Sequence, residues 1–370
     1  MIAGGLIVDL GLHIDYSHLV RDGKLGAVEQ EGRNGLLLAA FVYSTLWNLY
    51  LGRPNPFSQP IISAVRRVSA IKTPDTETMH TWVGLCLQMS EIIELLNGPT
   101  VNGSLNRDNL LRLWELDKRL RGFFSNLPTH LTYDESTIEE LDASAYGLQM
   151  QFSGIQITLH LAMIKSDHIA RLSDGKDMSS KHRATDQLYE VVDENVLRIC
   201  QLVLSYRRVF GVEKIITVML DNIFVAALAL VSLIPQNQQK GKSVEKDIRW
   251  LKMILNTLDV AGKHYPVTTK MISTLTRIMS TTPLSMLFPA SSVQTPAAPP
   301  ESTTAIFQDP LSLHKDGEVS ALTQDPMCSS LALKNFDFNF TDEEHTLIHG
   351  SGWNIASWSF DVGDESLMMP

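Results

Sequence analysis

The sequence predicts an all-α fold: a multi-helix body followed by a Pro/Ser-rich linker and a disordered acidic tail. Three observations carry this. Apolar residues recur at three- and four-residue spacing through most of residues 29–279, the period of one buried helix face. No strand-like alternation precedes residue 330, and no internal repeat of the solenoid kind is present. Helix start and stop residues flank the periodic runs. Of the 370 residues, 44% are hydrophobic and mean hydropathy is +0.00. That composition excludes wholesale disorder, and the length allows a sizeable core and about two or three domains. The boundaries predicted are a body at 1–280, a low-complexity linker at 281–335 and a tail at 336–370.

The first expected helix runs from Glu29 to Leu51. It stops at Gly52-Arg53-Pro54, where Gly52 can take the left-handed cap, Arg53 can reach the last carbonyls and Pro54 blocks continuation. Thr73 as cap and Pro74 at the first helical position open the second. Its buried face holds Trp82, Leu85, Met89, Ile92, Ile93 and Leu96, and Asn97-Gly98-Pro99 ends it. The third spans Asn106 to just before Pro128. Leu110, Leu113, Trp114, Leu116, Leu120, Phe123 and Phe124 form its apolar side, and Arg112, Lys118, Arg119 and Arg121 take the other. A long helix from Leu141 to Leu172 turns Leu148, Phe152, Ile155, Leu159, Ala162 and Ile169 inward. Asp186–Phe210, Val212–Ile234, Val244–His264 and Val267–Met279 complete the series, with polar connections at 173–182 and 235–243.

Residues Met1 to His13 are apolar, yet they lack a basic n-region and contain Asp9, which argues against a signal peptide. The most apolar run, Ile215 to Ile234, is broken by Asp221 and Asn222. The uncharged remainder falls short of the roughly 20 residues a membrane span needs, so a buried core helix and no membrane are expected. Cys86, Cys200 and Cys328 lie far apart with no C-x-x-C pair, which excludes a zinc site made mainly of local cysteines, argues against a secreted disulfide framework and fits a reducing compartment better.

The formal charge of -10 is unevenly placed. Residues 1–300 hold 29 basic and 29 acidic side chains, whereas residues 301–370 hold only Lys315 and Lys334 against 12 Asp and Glu. Eight of the 16 prolines lie from Pro283 onward, five of them in the Ser/Thr/Ala-rich stretch 281–304, whose repeated prolines disfavour a packed helix. The acidic tail beyond it carries Phe336, Phe338, Phe340, Trp353, Trp358 and Phe360.

No Gly-rich phosphate loop, G-x-S-x-G elbow or H-E-x-x-H motif is present. Asp134-Glu135 and Glu139-Glu140 come nearest to an aspartate-rich metal turn, but they sit among polar linker residues and read as a solvated or helix-starting patch. His160 and His168, with Asp167, share roughly one helix face and read as a partly buried polar stripe. His13 and Asp15 receive the same reading. Arg66-Arg67, Lys118-Arg119-x-Arg121 and Arg207-Arg208 read as solvated helix surface, because the body as a whole is neutral.

A neutral helical body, a proline linker and an acidic aromatic tail make the layout of an interaction or regulatory protein rather than an enzyme. Aromatic side chains supply most of the burial energy open to a short binding segment, and surrounding carboxylates keep them solvated. The tail is therefore a candidate activation and docking segment. The alternative is that residues 336–340, which alternate aromatic and polar, form a strand or clip packed back on the body.

Several stretches resemble one family. Leu6 to Asp15 (LIVDLGLHID) is similar to the DLGLH element, and Leu46 to Pro54 (LWNLYLGRP) to the LGRP helix end, of the regulatory (middle homology) domain of fungal binuclear zinc-cluster transcription factors of the xylanolytic-activator type. Leu110 to Leu131 and Leu148 to Met163 resemble the two helices that follow, so the likeness covers roughly residues 1–280. Leu10, Gly11, Leu12, His13, Leu51, Gly52, Arg53 and Pro54 are the motif positions, with a structural role implied. The resemblance implies a nuclear transcriptional regulator that contacts coactivators or other regulators and forms a homodimer. It also implies zinc-dependent DNA binding, but the six clustered cysteines this needs are absent here. The cofactor expectation for these residues is therefore none, with DNA contacted only if a zinc cluster precedes them. Two readings stay open: a body truncated at its N-terminus, or an adaptor that binds other regulators and lacks a DNA reader. An all-helical enzyme with dispersed site residues is the remote third.

Overall fold

Eleven α-helices and three short 3₁₀ turns are found among the described residues. A computed structural model of the protein describes residues 2–50, 57–70, 76–96, 107–174, 179–282 and 284, and among the described residues there is no strand. The helices are α1 (Ile2–Asp9), α2 (Ser17–Arg21), α3 (Ala27–Tyr50), α4 (Gln59–Ser69), α5 (Glu77–Leu96), α6 (Arg107–Ser125), α7 (Ala143–Asp174), α8 (Ser179–Val209), α9 (Thr217–Gln239), α10 (Glu245–Ala261) and α11 (Val267–Ser280). Short 3₁₀ turns at Thr129–Leu131, Ile138–Glu140 and Val212–Lys214 fill connections. The LGRP end (Leu51, Gly52, Arg53, Pro54), the Thr73-Pro74 start, Cys328 and the six tail aromatics lie outside the described residues.

Two groups of helices share one apolar core. α3 packs on α1, α4 and α5; α5 also packs on α4, α6 and α7. α7 then packs on α8 and α9, and α9 on α8, α10 and α11. α5 and α7 join the groups through Trp82, whose indole Nε1 donates to Ser144 Oγ at 2.9 Å. Large side chains such as Phe41, Leu85, Met89, Leu120, Tyr146 and Leu148 are fully buried in that core. Each would forfeit roughly 1.5–3 kcal/mol of transfer energy if exposed.

Local chemistry sets several boundaries. Asp142 caps α7, its Oδ1 accepting the Ala145 amide at 2.7 Å. α6 ends where Asn126 Nδ2 and Ser125 Oγ both donate to the Gly122 carbonyl, three residues ahead of Pro128. α9 departs from expectation. The connection expected at 235–243 is largely helix, because α9 continues through the buried Pro235 to Gln239. Proline removes one amide donor there. Partners on other helices hold the extra turn: Gln236 Nε2 donates to Tyr189 Oη at 3.0 Å, Asn237 Nδ2 to Asp247 Oδ2 at 3.2 Å, and Lys240 pairs with Asp186 at 2.7 Å. Gly241 closes α9 with φ of 70°, and its own amide and that of Lys242 return to Gln238 and Asn237. That is the glycine cap whose left-handed turn satisfies the last carbonyls.

Among the described residues α9 is the one helix long and apolar enough to cross a membrane, with a mean hydropathy of 2.1 in its most apolar window. Its apolar residues Met219, Ile223, Leu230 and Ile234 are core residues. Burial pushes the carboxyl of Asp221 well above its ordinary pKa. The connection expected at 173–182 is also mostly helical, α7 ending at Asp174 and α8 beginning at Ser179. Val212–Lys214, expected to open a helix, is a separate 3₁₀ turn.

Candidate functional site

The DLGLH residues form the end of α1. Gly11 has φ of 61°, its amide donates to Val8 O at 2.9 Å, and the Leu12 amide donates to Ile7 O at 2.9 Å. This pair of bonds around a left-handed glycine is a Schellman cap, and its usual apolar contact is supplied by Ile7 and Leu12, both buried. Leu10 is exposed and His13 is half-buried, its Nδ1 enclosed without a hydrogen-bond partner. The element is thus a helix terminator of defined geometry.

Two arginines from other helices hold that turn. Arg33 of α3 donates from Nη2 to Leu10 O at 2.8 Å, and its guanidinium lies 4.7 Å from the centre of the Tyr16 ring. Arg67 of α4 donates to His13 O at 3.4 Å and stands 3.9 Å from the Asp15 carboxylate. Asp15 in turn accepts from the Ser17 amide and hydroxyl at 3.0 and 2.6 Å, starting α2. Those bonds from Ser17 hold its carboxyl below the ordinary value. Between the arginines lies a cleft of about 50 Å³, lined also by Gln30 and Asn34. It has room for a few water molecules.

Gly11 is constrained twice, by its positive φ and by Tyr16, whose Oη would lie 2.6 Å from an added Cβ. Gly11→Ala is expected to cost about 1–3 kcal/mol. In a Tyr16→Phe background the added cost should shrink, since only the backbone strain remains. Urea denaturation of the four proteins measures this, and an equal cost in both backgrounds would show that the hydroxyl does not restrict the position.

A second polar cluster is buried between α6 and α7, and only its Arg121 reaches the surface. The Asp117 side chain has no exposed surface and His160 is 1% exposed. Asp117 Oδ2 accepts from Arg121 one turn on, and Oδ1 accepts from Gln156 Nε2 at 3.0 Å. His160 Nδ1 sits 2.8 Å from the Gln156 carbonyl, so Nδ1 carries the proton. Nε2 faces Asp117 Oδ1 at 3.8 Å. His160 is thus a core residue rather than part of a half-buried stripe, and the side chains of Asp167 and His168 lie outside the described residues.

Burial lowers the pKa of the His160 ring from its ordinary 6.5; Asp117 and the Gln156 carbonyl oppose the shift in part, and Arg121 adds to it. The unfolded chain therefore binds this proton more readily than the folded one. Stability is retained above about pH 6.5 and declines as pH falls from there toward the lower folded value. Wild type should lose more stability than His160→Gln between about pH 7 and pH 5, as read by urea midpoints; parallel profiles would contradict this.

The acidic pairs are surface features. Asp134 Oδ1 caps Ser136, Glu135 accepts from Gln201 Nε2, and Glu139 pairs with Arg208 at 2.6 Å. Glu140 is exposed at the end of the same 3₁₀ turn as Glu139. Among the described residues no three His, Cys, Asp or Glu converge to hold a metal. Cys86 and Cys200 are buried free thiols on α5 and α8. Burial raises both pKa values, that of Cys200 to about 12. No family model, curated protein or solved structure matches this chain.

The sequence pattern did not reveal Arg33, Arg67, Asp117 or Gln156. Asp117 did leave a signal: it stands between Leu116 and Leu120 on the core-facing arc of α6, with Arg121 four residues on. The outward position of Trp114, 42% exposed, reverses its expected place on the apolar side.

Proposed function

We propose that the protein is a nuclear transcriptional regulator of the fungal zinc-cluster type, with a helical regulatory body and an acidic aromatic tail that engages coactivators. The observation that carries this reading is the arginine-clamped end of α1. The residues bearing the resemblance, Leu10 to His13, are the ones that build that turn and tie it to α3 and α4. The residues that carry the resemblance are thus also the ones that set the geometry of this corner of the body. Exposed apolar side chains on α1 and α3, Leu6, Leu36 and Tyr43 among them, support homodimer contacts.

Fused to a heterologous DNA-binding domain, the full chain and residues 336–370 should each activate a reporter. Changing Phe336, Phe338, Phe340, Trp353, Trp358 and Phe360 to Ala should abolish that output. Equal output from the altered and unaltered tails would sink the activation reading. The second reading is an adaptor that binds other regulators without a DNA reader; Cys86 and Cys200, buried singly on separate helices, join no group of metal-ligand residues among the described residues. Specific, salt-resistant binding of the purified chain to a promoter duplex would argue against the adaptor.

A further inference from the structure

Two guanidiniums converge on the cleft at the end of α1 and leave it short of acceptors. The charged groups lining it are Arg33, Arg67 and Asp15, a net of one positive charge. Arg33 donates one bond to Leu10 O and stands in no ion pair among the described residues. Its Nε is enclosed and has no hydrogen-bond partner. A buried donor without an acceptor is costly, so this one calls for an occupant of the cleft. Asp15 does not answer that demand. Its Oδ1 accepts both bonds from Ser17, and its Oδ2 stands 3.9 Å from Arg67 Nε, beyond hydrogen-bond reach. Gln30 and Asn34 flank Arg33 on the same face of α3, and neither side-chain amide is hydrogen-bonded among the described residues.

The rest of the lining is apolar. Leu12 and Val68 are buried, and Ile14 is 48% exposed. We propose that the cleft binds a short-chain aliphatic monocarboxylate, its carboxylate between the Arg33 and Arg67 guanidiniums and its alkyl chain along Ile14. Three features select that class. A carboxylate is all acceptor and matches the planar donor fork of a guanidinium, which supplies the acceptor that Arg33 Nε lacks. One net positive charge is neutralised by a monoanion, whereas a dianion would bring one charge in excess. The volume of about 50 Å³ holds a head group of a few atoms, and the remainder of the ligand extends over the exposed Ile14. The arginines that pin the α1 turn to α3 and α4 would then also read the ligand, so occupancy would tighten that corner of the body.

The test uses the full chain, sodium butyrate as probe and sodium chloride at equal ionic strength as reference. In a chain carrying isotope-labelled arginine, the Nε–H resonances of Arg33 and Arg67, assigned from Arg33→Lys and Arg67→Lys, should shift saturably, half-way at about 1 mM butyrate. At tenfold that concentration the melting temperature should rise by about 2–4 °C over the chloride reference. Asn34→Asp and Gln30→Glu each place an acid in the cleft and remove no contact that holds the turn. Each should weaken butyrate about tenfold. Arginine resonances that stay in place, or that move equally with chloride, overturn the proposal and leave the cleft to water. Unchanged butyrate affinity in both variants does the same. Inorganic phosphate binding more tightly than butyrate would overturn the choice of a monoanion. None of these readouts involves the tail or a reporter gene, so the result is independent of the regulatory reading.

Discussion

Asp117→Ala lowers the stability of the body by about 2–4 kcal/mol, read as a drop in urea midpoint with little change in slope. The cost arises in two places. Gln156 Nε2 loses its acceptor while remaining buried, and a void opens between α6 and α7. Arg121 adds little, since it is more than half exposed and turns to water. Asp117→Asn should cost less than alanine, because an amide oxygen can still accept from Gln156. Asp117→Leu fills the void and leaves Gln156 stranded, so it should fall between them. A loss below about 1 kcal/mol for alanine would mean that water replaces the carboxylate, and would remove the cluster from the list of what holds α6 to α7.

Gly154→Ala should be nearly as damaging, by about 2–4 kcal/mol. α7 and α9 approach closely at this glycine. An added Cβ would overlap Asn222 Oδ1 and lie 2.9 Å from its Cγ. Asn222 cannot swing aside cheaply, because its Nδ2 donates to Gln151 Oε1 at 3.1 Å and to Val218 O at 2.9 Å. A double-mutant cycle separates crowding from the loss of that bond. Asn222→Ala alone strands Gln151. In its presence Gly154→Ala should cost at least about 1 kcal/mol less than in wild type, because the clashing amide is gone. Strict additivity would place the crowding elsewhere.

The helical class was legible because the core faces of α5, α6 and α7 follow the period closely. Leu85, Met89, Ile92, Leu113, Leu120, Leu148, Ile155 and Leu159 are all buried as their spacing requires. Short helices were not legible. α1 contains Gly4-Gly5 and α2 has five residues, too few for a period to emerge, and both are held by caps and by arginines distant in sequence. α4 follows Pro54 and Pro56 and carries Pro60 in its first turn, and the four buried residues of its face, Ile61, Ala64, Val65 and Val68, span barely two turns. Trp114 was misplaced because hydrophobicity was equated with burial, and Asp117 was overlooked because charge was equated with exposure. Both errors fall on α6, where the helix carries an acid inward and an aromatic outward. The extension of α9 past Pro235 depends on partners from α8 and α10 that no local pattern encodes.

The two buried cysteines make the protein its own reporter of motion. A thiol whose pKa is raised and whose sulfur is enclosed reacts with a maleimide or a disulfide reagent only while its surroundings are open. Cys86 lies on α5, in the first group of helices, and Cys200 lies on α8, in the second. Their labelling rates, separated by peptide mass, therefore clock the opening of each group independently. Equal rates across a denaturant series would mean that α1–α6 and α7–α11 come apart as one cooperative unit; a faster Cys86 would mark the first group as the one that breathes.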